Sequence, residues 1–489
     1  MPNDGGPNYG DRDPIFALAT PLAESALALV RVSGEASLGL LTRIFSKQEK
    51  LLKAPPNSVV HGWIIDPGPA ANKIDEVLVS VYRAPAGYTG EDGADISCHG
   101  GIAVVKGVMA ALKEAGFREA LPGEFTFRAF MNQKLDLTRA ESVMELVSAK
   151  THVGREQAVR RMAGVLEKEI SAIKALLVDV LAGTEIYLDY PEDEFLSAQV
   201  DDEAGYGPGR DLAEQALRRL KVLAEHWQRE RIFAEGALAV LAGRPNAGKS
   251  SLFNYLIRED RSIVTDMPGT TRDWIDALIS VEGIPLRLAD TAGLGSQCAN
   301  ETGPAKDRAE QIGIQRSLEL LEKADLVLYV IDGINGFTDE DREFLVRHKD
   351  ADPGKHILVL WNKADLAQPR GSGSGDSIAV SAKTGQGIQE LMHSIAGIFE
   401  TASGADKMNS ASETSGHNAA GPGTLRQKEL VDAALSSVEE ALTLSEQGEP
   451  LDIIAPLFRA AVNALGEITG EVSTAELLET MFSRFCVGK

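Results

Sequence analysis

Residues 243–250 read Gly243-Arg-Pro-Asn-Ala-Gly248-Lys249-Ser250. They follow an entirely apolar run, Ala237-Leu-Ala-Val-Leu-Ala242, and open a helical stretch. A GxxxxGK[ST] pattern between a strand and a helix is a phosphate loop, and it makes this region an α/β nucleotide-binding domain. Its glycines let backbone N–H groups turn inward around a β-phosphate. Lys249 is expected to neutralise β/γ oxygens, and the Ser250 hydroxyl to ligate Mg²⁺.

Three further segments fall where such a domain needs them. Asp290-Thr291-Ala292-Gly293 ends a strand, where the carboxylate can hold Mg²⁺ through water and Gly293 N–H can meet a γ-phosphate. Asn362-Lys363-Ala364-Asp365 ends another, and a carboxylate at Asp365 accepts two N–H bonds from guanine but has no such partners in adenine. Ser381-Ala382-Lys383 follows a third strand, where the backbone reaches the guanine oxygen. Order and spacing are those of a translation-factor-class GTPase, so the domain is expected to bind GTP. The contact set is Asn246, Ala247, Gly248, Lys249, Ser250 and Ser251, with the Asp290, Asn362 and Ser381 segments. A switch segment, Thr265, Asp266, Met267, Pro268, Gly269, Thr270 and Thr271, completes it, with Thr271 as the second Mg²⁺ ligand.

The position after Asp-Thr-Ala-Gly, where signalling GTPases carry a water-orienting glutamine, is Leu294. An apolar side chain cannot align water, so another residue must. The carbonyls of the switch segment and Asn246 could together hold a monovalent cation acting as an arginine finger does, or the segment could be an ordinary mobile switch.

Around this domain the chain has 489 residues, 44% hydrophobic and 25% charged, which suits about three globular domains. No run reaches the roughly 18 apolar residues of a membrane span. Met1-Pro-Asn-Asp-Gly-Gly lacks a secretory pattern. With 49 basic against 72 acidic side chains, the net charge of −23 opposes nucleic-acid binding except through a local basic patch or a partner's surface. Three scattered cysteines, Cys98, Cys298 and Cys486, fit neither a disulfide framework nor a zinc site, and a reducing cytoplasm is the simplest location.

Residues 1–133 read as an α+β domain, with strands at Ile15–Ala19, Ala26–Val32, Ser58–Ile65 and Glu76–Tyr82, and a helix from Gly101 to Ala115 stopped by Gly116. Residues 134–235 are helical, opened by the capping-box spacing of Thr138-Arg-Ala-Glu141. The α/β domain spans 236–400, with buried parallel strands at 237–242, 286–289, 326–331 and 357–361. A polar linker, 401–424, leads back to helices over 425–489. The economical arrangement is one α-helical bundle domain interrupted by an inserted α/β domain, the alternative being separate helical bundles before and after it. Basic clusters at Arg155–Arg161, Arg218–Lys221 and Arg229–Arg231 lie on helices beside acidic residues and read as solvated faces, with an RNA footprint as the alternative. The terminal Cys486-Val-Gly-Lys489 does not fit a prenylation signal.

Taken together the chain resembles the MnmE (TrmE) family of tRNA modification GTPases over nearly its whole length. The marks are Gly-Arg-Pro-Asn-Ala-Gly-Lys-Ser-Ser, Gly269-Thr-Thr-Arg-Asp273, Tyr88-Thr-Gly-Glu-Asp92, Cys98-His-Gly-Gly101, Pro122-Gly-Glu-Phe-Thr126, Lys134-Leu-Asp-Leu137 and Phe485-Cys-Val-Gly-Lys489. The resemblance implies a homodimer joined by a folate-binding N-terminal domain. It implies action with the flavoprotein MnmG (GidA), in a heterotetramer or larger complex in which only that partner holds FAD. The pair would add a carboxymethylaminomethyl or aminomethyl group at C5 of the wobble uridine of certain tRNAs. The one-carbon donor would be 5,10-methylene- or 5-formyl-tetrahydrofolate, with no membrane involved. Folate contacts fall on Arg31, Asp95, Lys134 and Lys489, and Asp95 stands where glutamate is common. Potassium ligands fall on Asn246, Thr265, Met267 and Thr270, and the water-orienting carboxylate on Glu310. Cys486 is then either a nucleophilic thiol or part of a docked tail. The alternative function is a ribosome-assembly or regulatory GTPase switch without modification chemistry.

Overall fold

The computed structural model describes residues 9, 12–69, 71–149, 151–189, 209–259, 276–290, 318–351, 356–367, 377–401 and 421–488. They fall into two compact units, one of residues 1–144, 170–213 and 437–489, the other of 145–169 and 214–436.

The first unit holds a six-stranded sheet of β1 (Ile15–Leu18), β2 (Ser25–Ser33), β3 (Ser58–Ile65), β4 (Lys73–Tyr82), β5 (Gly93–Gly100) and β6 (Arg118–Glu119), in the order β3-β4-β5-β2-β1-β6. All neighbours are antiparallel except β1 and β6. Alternate residues such as Val77, Val79 and Val81 of β4 are buried in one core with the helix Ile102–Ala115, as period-two patterning requires. That helix ends at Gly116, whose φ of +111° supplies the left-handed stop.

Central strand β5 is absent from the sequence reading because Gly93-Ala-Asp-Ile-Ser-Cys-His-Gly100 is poor in strand-forming residues. Neighbouring chains need its bare ends: a Cβ at Gly93 would lie 2.7 Å from the Val32 carbonyl, and one at Gly100 2.1 Å from Ser25 Oγ. The helix Glu124–Met131 is also unanticipated, and it starts at Gly123 with φ +67°. The capping box expected at Thr138 is corrected. The helix Leu137–Ser148 begins one residue earlier, and Asp136 Oδ1 accepts from the Thr138 and Arg139 N–H groups at 2.8 and 3.1 Å. Aspartate in that place satisfies two orphan donors, so Thr138 has no cap to form.

Long helices Val165–Asp189, Arg210–Glu235, Leu425–Glu446 and Leu451–Thr469 stand on both sides of the α/β stretch in sequence. Within the first unit Arg459 reaches Glu185 at 2.7 Å and Arg210 reaches Glu446 at 2.8 Å. The basic clusters are only partly solvated. Arg161 is 1% exposed and bonded to Glu145, and Arg219 forms a two-pronged pair with Glu169 at 2.7 Å. Among the described residues no helix is long and apolar enough to cross a membrane.

The second unit holds β7 (Ala237–Ala242), β8 (Asp276–Val281), β9 (Ile284–Asp290), β10 (Leu326–Asp332), β11 (His356–Asn362) and β12 (Ser377–Ala379), ordered β12-β11-β10-β7-β9-β8. All pairs are parallel except β8 with β9. The six residues of β7 and the seven of β10 are buried throughout, because cores cover both faces of the sheet. β8 is another addition to the reading. It joins β9 through Glu282-Gly283, whose φ values of +50° and +90° make the tight hairpin turn that matches strand twist.

Candidate functional site

In an open parallel sheet, ligands collect beyond the carboxyl ends of the strands, where neighbouring connections diverge. Here β7 lies between β9 and β10, and the ends of β7, β9, β11 and β12 carry the predicted nucleotide residues.

The phosphate loop leaves β7 through Gly243, whose φ is +133° and whose missing Cβ would sit 2.2 Å from the Val330 carbonyl. Asn246 is left-handed at φ +63°, and Gly248 at +95°. The helix Lys249–Glu259 then points its N-terminal N–H groups at the loop, the arrangement that attracts phosphate. Lys249 is buried, and its ammonium donates to the Gly243 and Arg244 carbonyls at 2.8 and 2.9 Å. Burial lowers its pKa and the nearby Asp290 charge offsets part of that.

Ser250 Oγ donates to Asp290 Oδ2 at 2.7 Å, so hydroxyl and carboxylate oxygens meet at the start of the helix. These hard oxygens suit Mg²⁺. Asn362 is almost fully buried. Its Nδ2 donates to the Ala247 carbonyl at 2.9 Å and its Oδ1 accepts from Ala382 N–H at 3.2 Å. Asp365 accepts from Ser381 Oγ at 2.7 Å, and the same hydroxyl receives the N–H groups of Lys383 and Thr384 at 3.3 and 3.2 Å. The Ala364 N–H donates to the Val380 carbonyl at 3.1 Å. The 243–250 loop and the two turns expected to contact the base are therefore one hydrogen-bonded assembly.

Sequence reasoning missed Asp332 at the end of β10. It accepts from Lys363 at 2.8 Å, and from the Ile334 N–H and Asn335 Nδ2 at 2.9 and 2.8 Å. Burial alone would raise its carboxyl, but the Lys363 bond and backbone N–H bonds hold it below the ordinary value. Its position at a strand end, one strand from Asn362, was the available signal.

Other predicted residues lie outside the described ones: Thr265, Asp266, Met267, Pro268, Gly269, Thr270, Thr271, Thr291, Ala292, Gly293, Glu310 and Lys489.

A second constellation occupies the antiparallel sheet. Arg31 and Asp95 face each other across β2 and β5, with Nε donating to Oδ1 at 2.9 Å. Tyr82 donates its hydroxyl to Asp95 Oδ2 at 3.3 Å, and Arg31 lies 5.9 Å from the centre of the Phe125 ring. Burial works against the Arg31 charge, but the hydrogen bond and charge of Asp95 raise its pKa overall. Arg31 Nη1 also donates to the Gly488 carbonyl at 3.3 Å. The same tail is fixed by Gly123 N–H, which donates to the Cys486 carbonyl at 3.3 Å, and by Phe485, buried with Leu137, Ala140, Leu478 and Phe482. The Cys486 residue is exposed. Lys134 is held separately, its ammonium donating to the Pro85 carbonyl at 2.9 Å. The Arg31 cation, the Phe125 ring and the Tyr82 hydroxyl together suit an aromatic, anionic ligand.

Two family models match the chain: one described as the GTP-binding protein TrmE N-terminus over residues 14–134, the other as the MnmE helical domain over residues 137–486. The tRNA modification GTPase MnmE of Treponema denticola is 40% identical, covering 98% of this chain and 99% of its own. The protein of the same name from Lactobacillus delbrueckii subsp. bulgaricus is 38% identical over 98% of each chain. That of Carboxydothermus hydrogenoformans is 38% identical, over 98% of this chain and 99% of its own.

Proposed function

The chain belongs to the MnmE family of tRNA modification GTPases, and from that premise we propose that it hydrolyses GTP to drive modification of the wobble uridine of certain tRNAs. The observation that supports this reading is the bonding of Asn362 to both Ala247 and Ala382, which joins the expected phosphate loop and the expected guanine-reading turn beyond the carboxyl ends of the strands.

In the proposed reaction a water attacks the γ-phosphorus in line, the bond to the β-γ bridging oxygen breaks, and GDP and phosphate leave. Lys249 and the N–H groups of Asn246 to Ser251 balance charge on the β/γ oxygens. Glu310 orients the water. Asp365 accepts from the guanine ring, and the Ser381–Lys383 backbone meets its carbonyl oxygen. Ser250, Thr271 and, through water, Asp290 would hold Mg²⁺, which supplies further charge neutralisation when bound. Asn246, Thr265, Met267 and Thr270 would hold K⁺.

Arg31, Asp95, Lys134 and Lys489 would hold a 5,10-methylene- or 5-formyl-tetrahydrofolate, the source of the one-carbon unit. Arg31 would bind and orient that group, and the Asp95 and Gly488 contacts would keep its guanidinium pointed. Residues 1–133 form the folate-binding and dimerisation domain in this reading, with 236–400 as a G domain inserted into one helical domain. The chain works in the cytoplasm as a homodimer with the flavoprotein MnmG, which contributes FAD and much of the basic surface that the −23 charge leaves wanting.

Deleting the gene and analysing wobble nucleosides by mass tests the reading. Loss of the C5-substituted uridines is expected, and an unchanged nucleoside profile would leave only a GTPase switch. Modification by the purified complex requiring folate, GTP and the flavoprotein together tests the finer scheme.

A further inference from the structure

Arg244, the second residue of the phosphate loop, is tethered by its side chain. Its Nε lies 3.3 Å from Asp341 Oδ1, and its Nη2 donates to the Gly336 carbonyl at 3.2 Å. Asp341 is completely buried at the start of the helix Asp339–Ala351. Its Oδ1 also accepts the Tyr329 hydroxyl at 2.9 Å, and its Oδ2 accepts the N–H and hydroxyl of Thr338, both at 2.8 Å. A carboxylate has about four acceptor positions, so this one is filled by three neutral donors and one guanidinium. Burial and the bond to Asp341 push the Tyr329 phenol pKa up, which keeps its hydroxyl a donor.

The main chain of Arg244 meets Lys249 directly. Its carbonyl accepts the Lys249 ammonium at 2.9 Å and the Ala247 N–H at 3.3 Å. The side chain thus fixes the stretch of loop that orients the phosphate-binding lysine. We infer that Asp341 is a positioning residue for the nucleotide, acting through Arg244 on Lys249 and the phosphate-facing N–H groups. The inference rests on the GTP-binding reading and adds to it a residue roughly a hundred positions from the loop.

A helix cap that merely steadies the fold needs Thr338 and Tyr329 but not Arg244, and this separates the two roles. The test measures binding of N-methylanthraniloyl GDP to the full chain, with thermal melting of the same samples, for R244A, R244K, D341N and the R244A/D341N pair. We expect R244A to weaken binding about tenfold with little change in melting. R244K should recover only part of that, since one ammonium cannot reproduce the fork that reaches both Asp341 and Gly336. D341N should weaken binding in the parent background and add nothing further in the R244A background, the signature of residues acting as a unit. Binding by R244A within twofold of the parent, or additive losses in the pair, would overturn the inference. Should D341N fail to fold, the R244A and R244K affinities decide alone. A parent chain that binds no guanine nucleotide would sink the GTP reading itself, and this inference with it.

Discussion

Arg31 and Gly488 are 457 positions apart in sequence, yet the guanidinium of one donates to the carbonyl of the other at 3.3 Å. The tail and the antiparallel sheet are thus parts of one site. The turn at Gly123 makes the second attachment, and there a Cβ would lie 2.6 Å from the Phe482 carbonyl in a conformation that side chains resist.

Gly123→Ala should therefore detach the tail. We expect a loss of about 1–3 kcal/mol in unfolding free energy, with faster amide hydrogen exchange at Phe485 and Gly123, which the docked tail protects. Equal exchange rates in variant and parent would show that Gly123 does not hold the tail.

Asp365→Asn should move base preference from guanine toward xanthine, because an amide offers one acceptor and one donor pair where the carboxylate offered acceptors alone. The loss of GTP affinity should be about a hundredfold or more. Competition titrations with GTP and XTP give the answer, and retained GTP selectivity would refute base reading by this carboxylate.

Glu310→Ala should reduce single-turnover hydrolysis by about a hundredfold or more while GTP affinity stays near the parent value. Rapid-quench measurement of phosphate release checks it. Normal turnover would assign the water to another side chain.

Replacing K⁺ by Na⁺ at constant ionic strength should lower the steady-state GTPase rate by about a hundredfold, the scale of a lost electrostatic stabiliser. Indifference to the exchange would remove the monovalent cation from the reaction.

Asp332 gives a pH signature. Its pKa is depressed in the folded chain, so its contribution to stability is complete above the ordinary carboxylate range and fades as pH falls through the depressed value. The parent should melt at nearly constant temperature down to about pH 5 and lose stability below about pH 4. Asp332→Asn should start less stable and fall less steeply. Parallel curves for the two proteins would rule out this contribution.

The parallel sheet was readable because β7, β10 and β11 are apolar runs bounded by chemically demanding turns, and a phosphate loop tolerates few substitutes. Strand β5 was hidden because Asp95, Ser97 and His99 face away from the core while glycines end it, so composition contradicts placement. The Arg31–Asp95 pair is register information: facing residues on strands 64 positions apart leave no local trace. Charges buried in pairs were harder still. Arg161 with Glu145, and Glu124 with Arg118 and Arg128, are polar letters that read as surface until their partners are seen.

The Nδ2 of Asn362 occupies the space a Cβ of Gly248 would need, at 2.1 Å, while bonding the neighbouring Ala247 carbonyl. Stretches 115 positions apart in sequence thus behave as a single machined part. Neither Gly248 nor Asn362 can be enlarged alone, since either change pulls the other out of true.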